Sequence, residues 1–148
     1  MRLDEMAQSK EIDGLMYTVT PLPFGIGQKV LMRLIRVVSP LLAASADGGA
    51  AVFAALPSVL KDEDIEFFGD KFGAASSVAI DGKNMPMLKQ NQELHFAGKY
   101  LAFMQWLMFS IEVNYKSFFV GLTNGGAGVA DLVTAMNPNS SKSTPGNG

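Results

Sequence analysis

The chain has no cysteine and a single histidine, and these two scarcities remove most of the chemistry open to a protein of 148 residues. Without thiols there is no disulfide, no thiolate metal site and no cysteine nucleophile, and a reducing compartment such as the cytoplasm is the simplest setting. His95 has no second imidazole and no carboxylate pair at metal-binding spacing beside it. It therefore reads as a side chain that hydrogen-bonds locally at a helix start, not as a catalyst or a ligand. Charge is scarce as well: 18% of residues are charged and the net charge is −2. That balance argues against a general nucleic-acid binder, which needs a basic field to displace phosphate counterions. Long apolar runs are missing too. The uncharged, mostly apolar run Tyr100 to Ile111 contains Gln105 and falls short of the ~20 residues of a membrane span. The first residues, Met1-Arg2-Leu3-Asp4-Glu5-Met6, have no apolar core or cleavage site of a secretory signal.

What is present is apolar and soft. Apolar residues make up 48% of the chain, with nine methionines and ten phenylalanines, a composition that calls for a partner as well as a core. The length suits one domain. Residues 1–10 read as a flexible arm, 11–122 as a single mainly helical domain, 123–136 as a linker with a short apolar segment, and 137–148 as a disordered tail.

Within the domain, Asp13-Gly14 has the composition of a type I′ turn and Leu15, Tyr17 and Val19 alternate, which predicts a short β-hairpin or strand. Pro21 and Pro23 end it. From Gly27, Val30, Leu31, Leu34, Ile35 and Val38 recur at helical spacing up to Pro40, and Lys29, Arg33 and Arg36 share the opposite face. A short helix is expected around Ala50 to Leu56. The carboxylates Asp62, Glu63, Asp64 and Glu66 suit the first turn of another helix, where they meet free N–H groups and the positive dipole end; its stripe is Ile65, Phe68 and Phe72. Val78-Ala79-Ile80 reads as a strand able to pair with the first, followed by a turn at Asp81 to Asn84.

A long helix is expected from about Asn91 to Leu122. Ala97, Leu101, Met104, Met108, Ile111, Tyr115, Phe118 and Leu122 form a continuous seam at steps of four and three. Phe103, Trp106, Phe109, Val113 and Val120 fall behind it, between polar residues. The seam is expected to hold the fold, and the rear face to meet either core or partner.

Other motifs dissolve on inspection. Gly25-Ile26-Gly27 lacks the third glycine and unbroken strand of a dinucleotide fingerprint. The acidic run lacks the ordering of a calcium loop. Gly125-Gly126-Ala127-Gly128 lacks the Lys-Ser/Thr of a phosphate loop. No cofactor is implied, and no enzyme. The basic stripe is a solvated face or a complement to the acidic segment Asp62 to Asp70, in the same chain or a neighbouring copy.

The order of Ile12-Asp13-Gly14-Leu15-Met16-Tyr17-Thr18-Val19, Leu22-Pro23-Phe24-Gly25 and Val38-Ser39-Pro40-Leu41 resembles the N-terminal half of tail assembly chaperones of long-tailed bacteriophages. Glu93-Leu94-His95-Phe96-Ala97-Gly98-Lys99-Tyr100, then Trp106-Leu107 and Asn114-Tyr115-Lys116-Ser117-Phe118-Phe119, resemble the other half. The resemblance implies a mainly helical protein made in the infected cytoplasm and absent from the mature virion. It implies binding of the aggregation-prone tape measure protein, help to the tail tube protein in assembling around it, and oligomers. It also implies an extended product made by frameshifting, for which the tail from Asn137 would be the junction. Under it, Phe103, Met104, Trp106, Met108 and Phe109 are the expected partner contacts, with Lys29, Arg33 and Arg36 as the charged ones. The alternative is a structural minor tail or adaptor protein of the virion.

Overall fold

In the computed structural model, residues 2–44 and 49–124 are described, and the side chains of 42–51 and 122–124 are not. The elements follow in the order β1 (Gln8–Ile12), β2 (Leu15–Val19), α1 (Phe24–Ala44), α2 (Gly49–Ala55), α3 (Asp62–Gly73), β3 (Ser76–Ile80), β4 (Lys83–Pro86), α4 (Lys89–His95) and α5 (Tyr100–Asn124). Single 3-10 turns occur at Leu3–Met6 and Leu56–Ser58. The fold is mainly helical, as the sequence predicts, with a long last helix. Thr123 and Asn124, expected to open a linker, are the last residues of α5; the rest of that linker with its apolar segment, 125–136, and the tail from Asn137 lie outside the described residues.

The chain divides into two compact units, so the stretch 11–122, read as one domain from sequence, is shared between them. The first comprises Met1–Leu31 and Leu60–Lys116, the second Met32–Val59 and Ser117–Gly148.

The β content of the first unit exceeds expectation. Two hairpins join into a four-stranded antiparallel sheet in the order β1-β2-β3-β4, with α1, α2 and α3 inserted between β2 and β3. Both hairpins turn on Asp-Gly. Asp13 and Gly14 have φ of 54° and 81°, and Asp81 and Gly82 have 52° and 78°, the left-handed pair that a type I′ turn needs to match strand twist. Lys83 and Asn84, expected inside a turn, therefore belong to β4. Gln8 to Lys10, expected in a flexible arm, form most of β1. Their pairing is fixed by the register Gln8↔Val19 to Ile12↔Leu15 and by a 2.8 Å bond between the Ser9 and Thr18 hydroxyls. Tyr17↔Val78 and Val19↔Ser76 are cross-strand pairs on one face, and all four residues are buried.

Three contacts anchor α5 in this unit. The Asn114 side-chain Oδ1 accepts the Leu22 N–H at 2.8 Å, the Tyr115 hydroxyl donates to the Gly27 carbonyl at 2.7 Å, and the Tyr115 ring meets Phe72 edge-on at 6.4 Å. Burial raises the Tyr115 pKa well above that of an ordinary phenol, which keeps the hydroxyl a donor. The α3 helix begins where the carboxylates predict. Asp64 is buried and accepts the Lys61 N–H at 3.1 Å, while Phe68 and Phe72 point inward. Helix α4 then lies close on α3 because of glycine. A Cβ at Gly73 would collide with the Met87 carbonyl oxygen and the Gln92 amide, and that amide bonds to the Met87 and Gly69 carbonyls at 2.7 and 3.0 Å.

In the second unit, α1 continues through Pro40 instead of ending at Ser39. Proline leaves the Arg36 carbonyl without its helical donor, and the Ser39 hydroxyl takes that place at 3.1 Å. Leu34, Ile35 and Val38 are buried, as their spacing predicts, together with Val52, Leu56 and Phe119. Phe53 meets Phe119 edge-on at 5.4 Å.

Candidate protein-docking groove

The expected helix from Asn91 to Leu122 is two helices. Its first turn is α4, which stops at Phe96; Gly98 has φ 75°, a left-handed backbone that suits glycine and ends the helical path. The chain re-enters helix at Tyr100, with the Lys99 N–H bonded to the Phe96 carbonyl at 2.8 Å. This turn swings Phe96 inward. Its ring stacks on Tyr17 at 6.1 Å and 8° and meets Trp106 at 5.8 Å and Phe103 at 5.3 Å.

The break changes which residues of α5 face inward. Trp106 is fully buried and Phe109 nearly so, with Lys10 of β1 set 5.8 Å from the Phe109 ring. Both were expected as partner contacts; both are core in this chain, because the four-stranded sheet and the Phe96 turn cover the face that sequence leaves uncovered. Conversely, Ala97 and Leu101, the first two positions of the expected packing seam, are exposed, Leu101 at 72%. Met104 and Met108 are half-buried, as is Phe103. Further along, Ile111 and Tyr115 of the seam are buried. In its middle α5 is apolar on nearly every side, so no single face is the packing face.

Among the described residues, three of the four most exposed large apolar side chains lie within this junction: Leu94 at 85%, Tyr100 at 77% and Leu101 at 72%. The fourth, Phe24 at 82%, opens α1. Large apolar side chains left exposed together within eight residues are the composition of a contact site.

Beside it runs a groove of about 410 Å³ between α3, α4 and the start of α5. One wall is Asp62, Ile65, Glu66, Gly69 and Asp70; the other is Lys89, Gln92, Glu93, Phe96 and Ala97; Tyr100 and Phe103 close it. The α3 wall follows the spacing i, i+3, i+4, i+7, i+8, a single face of its helix; on the other side Lys89, Gln92 and Glu93 share a face of α4, and Phe96 and Ala97 follow its end. Ile65, Phe96, Tyr100 and Phe103 make the floor apolar. Four carboxylates, Asp62, Glu66, Asp70 and Glu93, stand along the rim. The cation in the lining is Lys89, its ammonium 3.7 Å from Glu66.

His95 lies on α4 and accepts or donates one bond, 2.7 Å to the Tyr17 hydroxyl. Burial, and secondarily Lys99, lower its pKa, and burial with Asp13 raises that of Tyr17; the pair is therefore a neutral hydrogen bond that ties α4 to the sheet. Among the described residues, no group of three or more His, Asp or Glu side chains is placed to hold a metal ion. No helix among them is long and apolar enough to cross a membrane. The basic stripe is where the spacing puts it, with Lys29 and Arg36 exposed and Arg33 half-buried, and it does not line this groove.

Sequence reasoning missed most of this site. Only Phe103 was among the expected contacts. Leu94 carried no visible signal beyond its place on a helix, and the one available clue was Gly98, which interrupts the run.

The family model described as phage tail assembly chaperone protein, TAC, matches residues 13–128. That span takes in strands β2 to β4, all five helices and the groove, and leaves out β1. No curated protein and no solved structure matches the chain.

Proposed function

Given that the chain belongs to the phage tail assembly chaperone family, we propose that it binds the tape measure protein in the infected cell's cytoplasm. There it keeps that long protein soluble while tail tube protein assembles around it. It does so by covering apolar client surface, without catalysis and without a cofactor, as an oligomer that leaves before the virion matures. The observation that carries this reading is the exposed apolar junction of Leu94, Tyr100 and Leu101. A folded chain gains nothing by presenting three large apolar side chains to water within eight residues, whereas a protein that holds an aggregation-prone client needs such a surface.

The test is co-expression with the tape measure protein of the same phage. The client is expected in the soluble fraction in complex with the chain, and to precipitate in its absence or with the double variant Leu94→Ser, Tyr100→Ser. A client that stays insoluble with the wild-type chain, with no complex recovered, overturns the reading. Purified particles separate it from a structural minor tail or adaptor protein: a chaperone is missing from them, a virion component is retained.

A further inference from the structure

We infer that the groove between α3 and α4 seats one helical segment of the partner, an amphipathic segment whose apolar stripe is flanked by lysine and arginine. The inference rests on the chaperone reading and specifies the chemistry of what is held. Its first ground is shape. Both walls present positions three and four residues apart, and the α3 wall from Asp62 to Asp70 is about 12 Å long at the ~1.5 Å rise of a helix. A partner helix places apolar anchors at i, i+3 or i+4, and i+7 over the same distance, which is the groove-binding mode of such helices.

Charge is the second ground, and it selects among helices. The rim holds four carboxylates against one ammonium, and that ammonium is already beside Glu66. Asp62, Glu66 and Asp70 stand on one side of the apolar floor and Glu93 on the other. A segment lying on Ile65, Phe96 and Tyr100 therefore passes between carboxylates. Acidic flanks are repelled there. Lysine and arginine flanks lay their aliphatic stems along the wall and bring their heads to the rim. The same field disfavours nucleic acid.

The probe is a set of three labelled peptides of about 15 residues, long enough to form helix on binding. They share one leucine stripe and differ only in flanks of lysine, glutamine or glutamate. Anisotropy titration of the full chain is expected to rank them lysine, glutamine, glutamate, with the lysine peptide weakening as salt rises. Asp70→Lys combined with Glu93→Lys, both exposed positions whose exchange leaves the fold intact by circular dichroism, is expected to weaken the lysine peptide roughly tenfold or more and to strengthen the glutamate peptide. Tyr100→Ser is expected to weaken the lysine and glutamine peptides alike. Equal binding of the three peptides, or a double variant with unchanged affinities, overturns the inference. So does a double variant that changes only the chain's sedimentation mass, which would make the groove an interface between copies. The two readings fail separately. If wild type and double variant both hold the tape measure protein equally well, the groove assignment falls and the chaperone stands. If neither holds it, the chaperone reading falls while the peptide titration still reports on the groove.

Discussion

Replacing Trp106 by serine removes a fully buried indole whose centroid lies 5.8 Å from Phe96 and 5.7 Å from Phe103. Truncating a buried tryptophan or phenylalanine costs about 3–5 kcal/mol, because the lost transfer energy is joined by a cavity that the surroundings fill only in part. The indole N–H has no acceptor among the described residues, so no hydrogen bond is lost with it. Serine puts in place of that unmet donor a small hydroxyl able to bond the carbonyl four residues back, so the expected loss stays within the range, at about 3 kcal/mol or more. With a urea slope of about 2 kcal/mol/M, the midpoint should fall by about 1.5 M. Far-UV circular dichroism is the assay, since the variant lacks the chain's one tryptophan. Trp106→Phe keeps a ring against Phe96 and Phe103 and surrenders no hydrogen bond, so it should cost no more than about 1.5 kcal/mol. A serine variant whose midpoint stays within about 0.3 M of wild type would refute the argument, because a side chain packed as described carries more stability than that.

Further outcomes follow from the same contacts. Gly73→Ala drives a methyl into the Met87 carbonyl and the Gln92 amide and should destabilise by about 1–3 kcal/mol. Gly69→Ala meets Gln92 and Phe103 at 3.5 and 3.7 Å, ordinary contact distances, and should be neutral or stabilising by up to about 1 kcal/mol through helix propensity; thermal melts of the pair test the close approach of α3 and α4. Asn114→Ala orphans the Leu22 N–H and should cost about 1–3 kcal/mol in urea unfolding. Tyr100→Ser with Leu101→Ser removes exposed surface only, so stability should change by less than about 0.5 kcal/mol per site while client solubility is lost in co-expression. For His95 the folded pKa is lowered, so the unfolded chain binds its proton first as pH falls. Stability from the neutral Tyr17–His95 pair is complete above about pH 6.5 and lost as pH drops from there toward the lowered folded value. Urea midpoints between about pH 7.5 and 5.5 should fall more steeply for wild type than for His95→Gln.

Local rules carried the reading of the fold a long way. The first Asp-Gly turn, the α1 stripe of Val30, Leu34, Ile35 and Val38, and the acidic start of α3 are decided by neighbouring residues, and each stands where those residues put it. The second Asp-Gly turn was also visible at Asp81-Gly82. What alternation over Val78 to Ile80 did not disclose was the following strand, because Lys83-Asn84-Met85-Pro86 has neither β-branched residues nor a buried face of its own. It is a strand by pairing with β3, from Ile80↔Lys83 to Ser77↔Pro86. Pro40 shows the same limit in the other direction. The rule that proline ends a helix holds only when nothing else occupies the freed carbonyl, and Ser39 occupies it.

The site was less legible, for a reason that lies in α5 itself. Periodicity assigns a packing face only where the opposite face is polar, and from Ala102 to Ser110 this helix has too few polar residues to set one. The heptad from Ala97 to Leu122 is real as a spacing, yet its first two positions are exposed and the side chains behind them fill the core. One glycine accounts for the exchange. With Gly98 left-handed, Phe96 turns in to stack on Tyr17 and cap Trp106, and Leu94, Tyr100 and Leu101 are left on the outside of the bend. Had the helix run unbroken from Asn91, Ala97 and Leu101 would have continued the line of Met104 and Met108, with no corner to collect apolar side chains. The break that defeats the sequence pattern is thus the same feature that creates the apolar corner, and the acidic face of α3 turns that corner into a groove with a preference of charge.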